Sequence, residues 1–245
     1  MLINFGLLFF SALLAGLVAI LVPHWREQDF KKVLIFAGSY LFSITILHIF
    51  PELFADRESA YYMGLYILLG FLLQQLLEFM SSGIEHGHLH THGNGHKGNT
   101  VTTLMVGLFL HAFLEGTLLS KQPELSGHHH GSETLLIGMI LHKIPEAFAL
   151  VAVLLTRLKK RLVMILLVVF ALASPFGMLS TDLLYSEALI GPDTINMLFG
   201  LVAGGFLHIS TTIIFESSPQ HKFQLQKLLI IMLAAGLAIL SEYVI

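Results

Sequence analysis

Near the middle of two apolar stretches the chain carries the pattern Leu-His-x-x-x-Glu: Leu110-His111-Ala112-Phe113-Leu114-Glu115 and Leu141-His142-Lys143-Ile144-Pro145-Glu146. A His and a Glu four positions apart share one face of a helix. Two carboxylates and two imidazoles buried in apolar helices are costly without a partner. A divalent cation satisfies all four, so His111, Glu115, His142 and Glu146 are read as candidate metal ligands. Imidazole nitrogen combined with carboxylate oxygen suits zinc, and also Fe(II), Mn(II), Co(II) or Cd(II). With neutral imidazoles the two acids carry a charge of −2, which one divalent ion cancels. The chain has no cysteine, so the site contains no thiolate, which suits release of metal as well as binding. Pro145 lacks a backbone N–H and crowds the carbonyl of Leu141, which is expected to kink the helix and free that carbonyl.

The elements that position these residues are membrane helices. Apolar residues make up 55% of 245 positions, charged residues 12%, and the mean hydropathy is +0.79. Soluble domains carry about 25% charged residues. At about 20 residues per crossing, eight spans fit, near 2–22, 30–51, 60–80, 100–120, 133–156, 161–182, 194–215 and 224–243. The first lacks a basic leader and is long for a signal-peptide core, so it is read as a retained helix. Loops are short and carry Pro23, Pro51, Gly131, Pro192 and Pro219. The expected fold is all-α: one polytopic eight-helix domain over 1–245, with a His-rich loop at 81–99.

Cations orient it. With both termini outside, inner loops hold Arg26, Lys31, Lys32, Lys97, Arg157, Lys159, Lys160, Arg161, Lys222 and Lys227, and outer loops only Arg57 and Lys121. Span four then runs outward and span five inward. Packed side by side, they are antiparallel, with His111 opposite Glu146 and Glu115 opposite His142. Four residues of helical rise separate the two levels by about 6 Å, so the four side chains can close around one ion or two neighbouring ions.

The inner loop places His86, His88, His90, His92 and His96 among glycines and polar residues. That composition reads as a metal-catching segment at the cytoplasmic exit. Outside, His128, His129 and His130 lie between Glu124 and Glu133, over the expected entrance. Imidazoles titrate near pH 6.5, so capture there is expected to weaken in acid. His48 and Glu52 are read as lining the way in. Gln74, Glu78, Asp182 and His208 are read as pathway or interhelical groups, His208 being the foremost of them for a pore role and a further candidate metal ligand. Glu216, with Ser217 and Ser218, is placed at the exit, and Gly200 and Gly204 mark close helix packing.

His111-x-x-x-Glu115-Gly116 and His142-Lys143-x-Pro145-Glu146 resemble the fourth- and fifth-helix signature of the ZIP (Zrt/Irt-like) metal transporters. His48-x-x-Pro51-Glu52, the eight spans and the His-rich third loop also resemble that family. The resemblance implies import of divalent metal, usually zinc, toward the cytoplasm. It also implies that His111, His142 and Glu146 bind the ion with Glu115 alongside, and that two copies pair as a homodimer. Ala112 stands where many members have Asn, and Lys143 where many have an acid; both positions belong to a second metal site in some members. Lys143 is expected to repel a second ion and to pair with Glu115, which leaves a one-ion site. Span six offers only Ser174-Pro175 near its middle, without the carboxylate of some relatives.

Other chemistries fit less well. An intramembrane zinc protease needs His-Glu-x-x-His, and Ala112 and Lys143 follow the two histidines. A haem protein with paired axial His would show a Soret band. A metal receptor that binds without transporting uses the same ligands and is separated only by an uptake assay. No enzymatic activity, prosthetic group or nucleic-acid partner is expected; the partners are the metal ion, the bilayer and a second copy. The short loops suggest a bacterial inner membrane.

Overall fold

A computed structural model describes residues 2–21, 27–55, 60–81, 97–120, 131–216 and 225–243, with the backbone alone at 27, 97–100, 131–133 and 216. These residues form eight long helices and no strand. They are α1 (Leu2–Leu21), α2 (Glu27–Ile44), α3 (Ala60–Ser81), α4 (Lys97–Thr117), α5 (Gly131–Leu155), α6 (Lys160–Ser186), α7 (Pro192–Glu216) and α8 (Leu225–Tyr243). The second element continues beyond α2 through a π-helical turn at Thr45–Ile49 and a last α-turn at Phe50–Leu53. Seven of the eight are long and apolar enough to cross a membrane. In α4 the residues with described side chains form a shorter apolar stretch, Val101–Thr117. The spans expected from hydropathy are present, and the second and sixth run further than expected, to Leu53 and Ser186.

Helix partners are chosen by shape. α3 packs on α7, and α4 on α6. Each pair is interlocked by reciprocal glycines. A Cβ on Gly70 of α3 would lie 1.9 Å from the carbonyl oxygen of Leu201, and one on Gly204 of α7 would lie 1.9 Å from that of Ile67. In the other pair, a Cβ on Gly116 of α4 would lie 1.9 Å from the carbonyl oxygen of Ser174, and one on Gly177 of α6 would lie 2.0 Å from that of Phe113. Only residues without a side chain permit such backbone approach, which is how helices associate where lipid supplies no hydrophobic drive. α5 packs chiefly on α1 and α2, and α2 also on α7 and α8.

The side-by-side packing expected for α4 and α5 is not what forms. Their backbones seldom approach closely, because the glycine interlock commits α4 to α6 while α1 and α2 cover α5. They meet through long polar side chains instead. The apolar core is correspondingly split into two layers. One holds Leu34, Leu104, Leu108, Leu150, Leu154, Val163, Leu167 and Ile213; the other holds Leu8, Tyr40, Leu118, Met139, Met178, Ile195 and Phe206. Along α4 the first layer ends at Ala112 and the second begins at Leu118, with Glu115 in the gap; along α5, Met139 and Ala147 bracket His142, Lys143 and Glu146. The polar cluster is thus a middle layer between two apolar ones.

Candidate metal centre

Five polar side chains fill that middle layer: His111 and Glu115 from α4, and His142, Lys143 and Glu146 from α5. All are at most 3% exposed. His111 Nε2 lies 3.0 Å from Glu115 Oε1 and 3.7 Å from Glu146 Oε1. His142 Nε2 lies 3.6 Å from Glu115 Oε1. The two imidazoles stand edge to face with centroids 5.9 Å apart. Antiparallel crossing thus sets His111 against Glu146 and His142 against Glu115.

One ligand atom from each of His111, His142 and Glu146 lies within 4.8 Å of the others. Among the described residues, Glu146 Oε1 and both ring nitrogens of His142 are buried without an aligned hydrogen bond. Leaving such groups unsatisfied costs about 1–3 kcal/mol each, more when charged. His111 Nε2 and Glu115 Oε1 approach to 3.0 Å, while Glu146 Oε1 and His142 Nε2 stand 3.7 and 3.6 Å from that pair, all four turned into one shared space. That geometry is what a cation exploits and what a self-satisfied polar core avoids.

Lys143 occupies the other side of both carboxylates. Its Nζ lies 2.5 Å from Glu115 Oε2 and donates to Glu146 Oε2 at 2.8 Å, with the Phe170 ring centroid 5.2 Å away. Each acid thus gives one oxygen to the ammonium and turns the other toward the histidines. With neutral imidazoles the cluster carries −1, from two acids and one lysine, rather than the −2 counted from the His and Glu residues alone.

Neighbouring helices support this layer. Gln74 Oε1 on α3 lies 2.9 Å from His111 Nδ1. Ser174 on α6 donates to the carbonyl of Ala112 at 2.7 Å. Span six thus contributes a serine clasp to α4. A narrow cavity lined by Gly70, Gln74, Leu77, Leu114, Gly205 and Phe206 opens between α3, α4 and α7 against His111 and Glu115. Pro145 lies inside an unbroken α5, and Pro175 inside α6.

Other sequence candidates lie apart from this group. His208 Nε2 on α7 meets Glu78 Oε2 on α3 at 2.6 Å, with Phe71 edge-on to the ring. This contact joins α7 to α3 near the C-terminal end of α3. His48 Nδ1 lies 3.1 Å from Glu242 Oε1 on α8, and its Nε2 lies 3.6 Å from Glu52 Oε2. His86, His88, His90, His92 and His96, and the outer His128, His129 and His130, lie outside the described residues. Sequence reading named Gln74 without linking it to His111; its one signal was a buried amide in an apolar helix.

Known proteins agree with the motif. The family model described as ZIP Zinc transporter matches residues 85–242. Zinc transporters ZIP9-A and ZIP9-B of Xenopus laevis and ZIP9 of Xenopus tropicalis are each 31% identical to the chain over 160 residues. The matched region is 61% of this chain and 50% of each relative, so the chain spans about half the length of the curated relatives it matches. The match takes in the segments 110–115 and 141–146 and the helices from α4 onward, and with it the chain belongs to the ZIP zinc transporter family.

Proposed function

We propose that the chain carries a divalent metal, zinc foremost, across a membrane toward the cytoplasm, with His111, His142 and Glu146 holding the ion and Glu115 beside it. The observation that carries this reading is the convergence of buried ligand atoms of His111, His142 and Glu146 between two apolar layers. An ion entering from outside sheds water onto Glu115 and His142 and settles among His111, His142 and Glu146. Opening toward the inside then passes it to the histidines of the 81–99 loop. Fe(II), Mn(II) and Cd(II) share these ligand preferences. The same proposal takes 1–245 as a single transport domain, places both termini outside, and assigns a homodimer in a cell (inner) membrane. Its support for orientation is that Lys31, Lys32, Arg157, Lys159, Lys160, Arg161 and Lys227 all lie at the helix ends flanking one apolar layer.

The site is read as holding one ion at a time. Lys143 Nζ already fills the position that a second cation would take between Glu115 and Glu146. Unit charges 4 Å apart repel by about 4 kcal/mol at an effective dielectric constant of about 20, and a divalent ion beside an ammonium doubles that.

Zinc uptake into proteoliposomes tests the whole reading. Uptake by the parent is expected to be lost in His111→Ala and Glu146→Ala at unchanged protein yield. Tight zinc binding without uptake by the parent would replace transport with a receptor function. Unchanged uptake in both variants would remove the site.

A further inference from the structure

We propose that Gln74 of α3 is a positioning residue for His111: its carbonyl oxygen accepts the Nδ1–H and so keeps Nε2 of that imidazole directed at the cation position. The assignment of what Nε2 binds rests on the proposed metal site; the hydrogen bond itself does not. Gln74 Oε1 lies 2.9 Å from His111 Nδ1, and both side chains are buried to 3% exposure. A carbonyl oxygen only accepts, so this contact requires a proton on Nδ1. Nε2 then points to Glu115 Oε1 at 3.0 Å and Glu146 Oε1 at 3.7 Å. The reverse arrangement, with the amide donating to Nδ1, would place the ring proton on Nε2 and block it as a ligand. Metal-binding histidines usually hand their second N–H to an acceptor that fixes both tautomer and ring orientation.

The fold holds the acceptor in register. Gly70 lies one turn before Gln74 on α3, and its backbone contact with Leu201 fixes the height of α3 against α7. Across the gap, Gly205 presents no side chain, and a Cβ there would stand 3.7 Å from Gln74 Oε1. The contact therefore runs from the α3–α7 pair to α4, which is locked to α6. Among the described residues His142 has no counterpart, since its Nδ1 is buried without an aligned hydrogen bond there. An amide in place of a carboxylate also orients the ring without deepening the cluster's negative charge, which would hold a divalent ion more tightly.

The test uses the purified full chain, with zinc affinity from chelator competition and histidine protonation from ¹⁵N-imidazole NMR. A His111→Asn spectrum identifies the ring. Gln74→Met keeps the volume and removes the acceptor; it is expected to weaken zinc binding about 10–100-fold, the range for lost outer-shell partners. Gln74→Glu restores an acceptor and is expected to bind at least as tightly as the parent, which a purely space-filling role would not produce. In the parent, Nδ1 of His111 is expected to carry a proton. Parental affinity in Gln74→Met, or an unprotonated Nδ1 in the parent, would overturn the assignment. A parent that binds no zinc would instead defeat the metal site, and the Nδ1 signal would still decide the role of Gln74, as it also does should Gln74→Met not fold.

Discussion

The segment Leu47-His48-Ile49-Phe50-Pro51-Glu52 at the end of the second span has the same form as Leu141-His142-Lys143-Ile144-Pro145-Glu146 of α5: Leu-His-x-x-Pro-Glu. The two are used differently. In the first, the helix widens into a π turn at Thr45–Ile49 just before the proline, whereas α5 passes through Pro145 as an α-helix. Both ring nitrogens of His48 face carboxylates, Glu242 at 3.1 Å and Glu52 at 3.6 Å, and the three side chains are 13–18% exposed. An imidazole flanked by acids on opposite sides is a bridge, because its two nitrogens diverge. Among the described residues neither nitrogen of His142 has an aligned hydrogen bond, and one of them lies within 4.8 Å of ligand atoms of His111 and Glu146. The hexapeptide thus sets only which groups share a helix face. What crosses from the next helix sets the chemistry: α8 brings one acid to His48, and α4 brings a second His and Glu to His142.

The largest effect should separate the copies outright. His142→Ala is expected to lower zinc affinity by more than the roughly 100-fold upper range of an outer-shell loss, because it removes a ligand. His48→Ala should leave affinity within about twofold, since outer-partner losses begin near 10-fold. Chelator competition on both variants measures the contrast. A comparable loss in His48→Ala would make the second span part of the binding centre.

The position after each histidine sharpens the comparison, with Ile49 in one copy and Lys143 in the other. Lys143→Ile removes the only cation shared by Glu115 and Glu146 among the described residues. Breaking a buried ion pair in this way costs about 3–5 kcal/mol. The variant is expected to melt earlier than the parent without zinc, to regain much of that loss with zinc, and to exceed one ion per membrane site. Calorimetric stoichiometry and melting curves check both parts. Two ions already bound in the membrane site of the parent would refute the one-ion reading.

Much of this was legible in the sequence, for physical reasons. Hydropathy places the spans because a bilayer imposes length and apolarity. The four-residue spacing places His111 beside Glu115 and His142 beside Glu146 because helical geometry is fixed. Lys143 beside Glu115 followed from burial, since a lysine in an apolar helix needs an acid within reach. The choice of helix neighbours was not legible. It depends on whether Gly70, Gly116, Gly177 and Gly204 face one another across an interface, a property of shape that periodicity does not encode. For the same reason Gln74 and Glu78, one turn apart on α3, did not reveal that one meets His111 and the other His208.

The smallest expected effect tests the bridge side of the comparison. Glu242→Gln keeps the shape of the side chain and removes its charge, so His48 retains Glu52 and an amide partner. Partly exposed ion pairs contribute about 0–1 kcal/mol, and the neighbouring Tyr40–Ser241 contact at 3.1 Å and the Thr134 hydroxyl donating to the Ser241 carbonyl still tie α8 to α2 and α5. The melting temperature is therefore expected to fall by no more than a few degrees, with zinc affinity and stoichiometry unchanged. If His48 instead used Glu242 to hold a metal, Glu242→Gln would leave stability nearly intact and lower the measured zinc stoichiometry. The zinc stoichiometry of this one variant thus separates the two readings of the hexapeptide.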